Sequence, residues 1–449
     1  MKKRILFTIW SITLVLASCD SFLEIQPVGK VIPNSIEEYR ALLTNAYEAV
    51  PDDRGLACFR SDEMQVRNEE YDQNAYANLE RWNDSSPLTT NVSFSWAKYY
   101  QVIFIANEII NNHDKIEYTK KEEVDQLLGE AYLLRAYMHF LLVNLHGEPY
   151  TKEGALETKA IPLRLFNDLE GSIYRNTVKE VYESVLQDIK QAESHLNKTE
   201  WEKPFSYRFT KQAADALNAR VALYMGNWKN AYDYSMLIVN HPLYALEDFT
   251  KEEKLLPNNY LSTESITALE QSSNSSVNRA TLVPPHFLDK YKEGDLRFDL
   301  YFSDPDEEGF RNSQKGGSNQ FSSTFRLAEF ILTAAEASVQ LDNLSESRKL
   351  LLILAEKRFT PDGYENRKKE IETLNKDDLI SEILEERARE LALEGHRWFD
   401  LIRTTRPKIE KVLIEGSEKK TFVLEKDDPR YTIPIPRIAI EANPNLAVD

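Results

Sequence analysis

Two helices with a stripe of alanines, joined by a two-residue glycine turn, constrain this chain more than any other feature. Ala213 to Met225 carries Ala216, Ala219 and Ala222 at helical spacing; Gly226-Asn227 breaks the pattern, and Trp228 to Val239 resumes it with Trp228, Ala231 and Tyr232. Small side chains let two helices approach closely, and so short a turn forces them antiparallel. The arrangement occurs again in Arg326 to Gln340, with Ala334, Ala335 and Ala337, followed by Asp342-Asn343 and Ser345 to Arg358. The expected fold is therefore mainly α.

Each unit resembles a tetratricopeptide helix pair. The two stand about a hundred residues apart, so they do not belong to a regular array with a period of about 34. Tetratricopeptide-like pairs forming a scaffold, interrupted by irregular loop insertions, is the architecture this predicts. Further helices are read from Trp96, Tyr100, Ile103, Phe104 and Ile110, and from Val124 to Leu142, which stops near His146-Gly147-Glu148-Pro149. Another runs from Val178 to Leu196 behind Thr177 as N-cap. Lys376 to Arg403 reads as one long helix behind Asn375, and Thr421 to Leu424 and Tyr431 to Ile435 as short strands. Trp96, Tyr100, Phe104, Trp228 and Trp398 fall among apolar neighbours and are expected in the core.

Three stretches have a different texture. Residues 52–91, 270–280 and 303–323 are polar and aperiodic, and long irregular loops in a compact protein tend to carry function. Tyr76, Trp82, Phe310 and Phe321 lie in them, beside the amides of Asn78, Asn83 and Asn319. A sugar ring packs its C–H face on an aromatic plane while its hydroxyls need amides or carboxylates, so these seven residues are the candidate ligand contacts.

The N-terminus is of another kind. Met1 to Arg4 is basic, Ile5 to Leu16 is apolar, and Leu16-Ala17-Ser18-Cys19 is a small-residue site ending in a thiol. The apolar run falls short of the roughly 20 residues that cross a bilayer and is followed at once by Asp20 and Glu24. It resembles a bacterial lipoprotein signal, which implies cleavage after Ser18 and acylation of Cys19; three acyl chains then anchor stably, at about 0.8 kcal/mol per buried methylene. Cys58 is the remaining cysteine, so lipid on Cys19 leaves no partner for an internal disulfide.

Charge and motifs exclude several functions. A net charge of -18 repels phosphate backbones and argues against nucleic-acid binding. The seven histidines have no zinc-ligand spacing, and the chain has no phosphate-cradling loop, nucleophile elbow or calcium-loop pattern, so no metal or cofactor is expected. Glu386, Glu390 and Glu394 stack on one helix face as a glycosidase's paired carboxylates could, but Arg387, Arg389, Arg397 and Arg403 interleave with them, which favours ion pairing. Gly294-Asp295-Leu296-Arg297 marks a turn before Phe298, and Asp295 and Arg297 are read as structural rather than reactive.

Ordered blocks across nearly the whole chain resemble the SusD/RagB family. They are Cys19-Asp20-Ser21-Phe22-Leu23 with Gln26-Pro27; Trp96 to Ile109 with Ala106-Asn107; Glu130 to Tyr137 running to His146-Gly147-Glu148-Pro149; Arg326-Leu327-Ala328-Glu329 with Ala335-Glu336-Ala337; Glu386-Arg387, Glu390-Leu391, Glu394-Gly395, Arg397, Asp400-Leu401 and Arg403; and Ile433-Pro434-Ile435-Pro436 with Asn443-Pro444. Thr404 and Thr405 depart from the glycine that often follows the last arginine. The resemblance implies a signal peptide over 1–18, an N-terminal region over 19–265 and a C-terminal region over 266–449, together one compact unit. It further implies a non-enzymatic lipoprotein on the outer membrane, binding a nutrient, usually a glycan, beneath which sits a SusC-like TonB-dependent barrel. The alternatives are a peptide-binding RagB-like lipoprotein, a lipid-anchored glycoside hydrolase and a helical assembly scaffold.

Overall fold

The structure is a computed structural model and describes residues 33–84, 92–168, 171–317, 321–415 and 418–448. Cys19, the signal segment and Asn319 lie outside these residues. Helices dominate: α1 Ile36–Glu48, α2 Glu70–Glu80, α3 Trp96–Asn112, α4 Lys121–His146, α5 Val178–His195, α6 Lys211–Tyr224, α7 Trp228–Val239, α8 Leu327–Gln340, α9 Leu344–Arg358, α10 Pro361–Thr373, α11 Lys376–Glu390 and α12 Arg397–Arg403. Capping follows the residues read for it. The Thr177 hydroxyl accepts from Glu180 N–H in a reciprocal capping box, and Asn375 accepts from Asp378 N–H.

Neighbouring helices stack in a continuous run from α3 through α4, α5, α6, α7 and α8 to α9. The two tetratricopeptide-like pairs, far apart in sequence, are therefore adjacent in space through α7 and α8, and the residues between them form an excursion from one solenoid. Their alanines do what the spacing predicts: Ala216, Ala219, Ala334, Ala335 and Ala337 are all fully buried. No described helix is long and apolar enough to cross a membrane.

Three expectations need correction, and one strand was not foreseen. Lys376 to Arg403 is not one helix, because the chain turns at 391–395 with Leu393 at φ 63° and Gly395 at φ 79°. Arg54 donates to the carbonyls of Glu394 (2.9 Å) and Gly395 (3.2 Å), so a buried cation caps what a longer helix would have used. Gly395 is required there, since a Cβ would come within 2.8 Å of Arg54 Cβ. Tyr431 to Ile435 is not a strand: Pro429–Tyr431 is a 3-10 turn, Tyr431 stacks on Trp398 at 5.1 Å, and Ile433 N–H donates to Leu145 O at the end of α4. The strand Glu418–Leu424 instead forms a hairpin with Ile409–Glu415, which the sequence reading missed. Phe104 is 45% exposed rather than core, because successive helix residues point about 100° apart and Ile103 takes the inward direction.

Candidate ligand-binding face

The three aperiodic stretches are pinned together at their base by buried charge. Arg54, from the first, donates to Glu270 Oε2 of the second at 2.8 Å and to Tyr137 Oη at 3.1 Å. Gly55 passes directly beneath Ser272, where a Cβ would lie 1.6 Å from the Ser272 carbonyl oxygen, so only glycine permits the crossing. Lys315, from the third stretch, is fully buried and pairs with Glu394.

Glu394 belongs to the acidic ladder read from the sequence, and its neighbours are ion pairs throughout. Glu390 accepts from Arg297 (2.9 Å), Arg326 (2.7 Å) and Arg358 (2.9 and 3.0 Å); Glu386 accepts from Arg297 at 2.6 Å and Arg389 at 2.5 Å. Asp295 grips Arg297 at 2.7 and 2.8 Å. Burial alone would push the Glu390 carboxyl up, but Arg358, Arg326 and Arg297 override it and hold it far below the ordinary carboxylate range. These carboxylates are permanent anions engaged by guanidinium groups, the opposite of a glycosidase acid waiting with a proton.

Asp53, next to Arg54, behaves differently. Burial, with Asp52 nearby, pushes its carboxyl up to about 7. A raised carboxyl contributes stability that is complete below the unfolded value of about 4 and is lost as pH rises through about 7. Asp53→Asn removes that loss. Its stability relative to the parent chain should therefore improve between pH 5 and pH 8 by something on the order of 2 kcal/mol, read from urea midpoints; a gap that does not change with pH would contradict the assignment.

Above this base the stretches meet at the surface. Gln65–Val66 pairs antiparallel with Thr281–Leu282, and Arg67 N–H donates to Ala280 O at 2.8 Å. Arg67 then joins all three stretches: its Nε donates to Arg279 O at 3.0 Å and its terminal nitrogen to Asn312 Oδ1. Arg279 sits 4.8 Å from the Tyr71 ring centre and 2.8 Å from Asp72 Oδ1. Tyr71 is 67% exposed. Arg67, Glu69, Glu70, Tyr71, Asp72, Asn74 and Arg279 line an open cleft of about 640 Å³. The cleft offers an aromatic face held in place by a cation, ringed by amide, guanidinium and carboxylate groups.

Among the described residues, none of those nominated from the sequence lines this cleft. Tyr76 and Trp82 are 6% and 2% exposed: Tyr76 stacks on Phe59 at 5.3 Å, and Trp82 Nε1 donates to Arg60 O at 2.9 Å. Asn78 is half-buried on α2 and Asn83 is exposed just beyond it. Phe310 and Phe321 are half-buried and apart; Phe310 N–H donates to Asp306 Oδ1 at 2.9 Å, while the Phe321 ring lies 6.2 Å from Tyr207. Tyr71, Arg67, Asn74, Arg279 and Asn312 were not nominated. Local polarity carried the signal for Tyr71, which has Glu69, Glu70, Asp72 and Gln73 around it, whereas Tyr76 has Ala75, Ala77 and Leu79.

Comparison with known proteins adds the lineage. A SusD-like model described as "starch-binding associating with outer membrane" matches residues 21–223, and the SusD family model matches residues 285–447. A SusD-like protein of Formosa agariphila is 25% identical over 87% of this chain and 89% of its own length. A SusD superfamily structure from Bacteroides thetaiotaomicron superposes with a TM-score of 0.76 at 21% identity, covering 92% of this chain and 99% of that one. A solved laminarin-binding SusD-like protein reaches a TM-score of 0.63 at 20% identity over 83% of this chain and 92% of its own. The two family models together span both ends of the helical run and the excursion's far side, in the order of the blocks seen in the sequence: this chain belongs to the SusD/RagB family.

Proposed function

We propose that the chain is a non-enzymatic, lipid-anchored outer membrane protein that captures an oligosaccharide at the Tyr71 face and passes it to a SusC-like TonB-dependent barrel. The observation that carries this is the exposed Tyr71 ring, held by Arg279 over a cleft lined by the first and second aperiodic stretches and tied to the third through Arg67 and Asn312. Family membership and the laminarin-binding relative support a glycan as ligand; Cys19 would hold the anchor. The cleft's charges, from Arg67 and Arg279 against Glu69, Glu70 and Asp72, nearly cancel, which suits a neutral sugar better than a polyanion. Asn78, Asn83, Phe310 and Asn319 extend the proposed contacts for a longer ligand, whereas Phe321 packs on Tyr207 away from them.

The test is a combined glycan and peptide array with the full-length lipoprotein in detergent. Saccharide binding is expected, and Tyr71→Ala should weaken it about tenfold, or about 1.4 kcal/mol, by titration calorimetry with unchanged unfolding. Peptide binding without any glycan signal would favour the RagB-like alternative, and glycan turnover would overturn the non-enzymatic reading.

A further inference from the structure

Arg208 stands out from every other arginine. Among the described residues it is the one whose guanidinium donates no hydrogen bond and joins no ion pair, and its Nε is buried without an acceptor. Most of its counterparts are engaged by carboxylates, as Arg54, Arg135, Arg220, Arg297, Arg326, Arg358 and Arg403 are. Its Nε–H is desolvated without an acceptor, while the two terminal nitrogens, also without a protein partner, stay open to solvent and to a ligand.

Its surroundings are aromatic. The guanidinium carbon lies 4.3 Å from the Phe205 ring centre, 5.1 Å from Trp201 and 5.6 Å from Tyr207. Lys198 Nζ, also without a carboxylate partner, sits 5.7 Å over Trp201. The shelf is built rather than incidental. Trp201 Nε1 donates to Phe209 O at 3.2 Å, Phe209 N–H donates to the buried Tyr47 Oη at 3.2 Å, and Tyr47 packs edge-on against Tyr207 at 5.4 Å. Phe321 closes one side against Tyr207. Arg40 also approaches Trp201, but Glu130 holds it. Glu200 and Glu202 flank the shelf in sequence, and neither pairs with Arg208 or Lys198.

We propose that Lys198, Trp201, Phe205, Tyr207, Arg208 and Phe321 form a second saccharide site, separate from the Tyr71 cleft, that takes a sugar bearing a carboxylate or a sulfate ester. The three rings hold the guanidinium and leave its two terminal nitrogens for a two-point grip on the anion, which Lys198 reinforces as a point charge. The rings supply the flat faces on which the sugar's C–H groups rest. The site makes chemical sense of two unpaired cations on a chain whose net charge is -18.

The experiment titrates full-length lipoprotein in detergent with tetragalacturonate, with a carrageenan tetrasaccharide as the sulfated arm, and with laminaritetraose as the neutral reference. At least one acidic sugar should bind at least about tenfold more tightly than the neutral one, and its affinity should fall when salt is raised from about 50 to about 500 mM. Arg208→Gln should weaken acidic-sugar binding about tenfold or more, with Arg208→Lys intermediate and the fold retained, since no hydrogen bond is lost and only the contacts with the three rings go. Lys198→Gln, on an exposed side chain, serves as the second variant and should also weaken it. Excess laminaritetraose should not displace the acidic sugar. Equal affinity for acidic and neutral sugars, unchanged binding in both variants, or displacement by laminaritetraose would each overturn the proposal; the last would merge this site with the Tyr71 cleft.

Discussion

Replacing Glu390 with alanine is expected to lower the free energy of unfolding by about 3–5 kcal/mol, among the largest effects a single change should have here. Its two oxygens are shared by Arg297, Arg326 and Arg358, all essentially inaccessible to solvent. Glu386, Glu394, Glu264 and Asp295 remain in the variant, yet three desolvated guanidiniums lose the charge they have in common and face one another with less compensation. Glu390→Gln keeps the volume and one acceptor oxygen and should lose less. Urea unfolding followed by circular dichroism, at unchanged m, measures both. The pH dependence separates charge from packing. A carboxyl held below its ordinary value contributes stability that is present above about pH 4 and lost as pH falls toward the folded value. The gap between parent and Glu390→Ala should therefore narrow below about pH 4, whereas a cavity alone would leave it constant.

The same network explains which parts of the fold could be read from the residues. Alanine spacing, caps and the Gly226 turn are local facts, and α5, α6, α7, α8 and α9 lie within a residue or two of where they were expected. The break at 391–395 is not local: it depends on Arg54, over three hundred residues away, taking the carbonyls of Glu394 and Gly395. Nothing in the run around Leu391 announces it except Gly395 itself. The loops posed the same problem at the site. Polar, aperiodic composition marked the stretches that meet around Arg67, but the composition of a whole stretch does not say which aromatic turns outward; only the immediate neighbours, charged at Tyr71 and apolar at Tyr76, separate the two. Tyr71 precedes Tyr76 by five residues on one helix, and that offset carries the two rings to opposite fates, one 67% and the other 6% exposed.

Trp82 gives the sharpest test of that distinction. Its loop-like neighbours made it a candidate for stacking on a sugar, but its indole is buried, its N–H is committed to Arg60 O, and Lys411 Nζ lies 5.8 Å over the ring while donating to Phe59 O (2.6 Å) and Met64 O (3.0 Å). Trp82→Ala should therefore cost about 3–5 kcal/mol through the cavity, the orphaned carbonyl and the loosened lysine beneath. Trp82→Phe refills most of the space and should cost less, chiefly the lost hydrogen bond of about 1–2 kcal/mol. The two aromatics should dissociate cleanly. Tyr71→Ala loses saccharide affinity and keeps its urea midpoint; Trp82→Ala loses its midpoint and, at a temperature where it remains folded, binds as the parent does. A Trp82→Ala chain of parental stability that no longer binds sugar would return Trp82 to the binding face and remove the reason for placing the site at Tyr71.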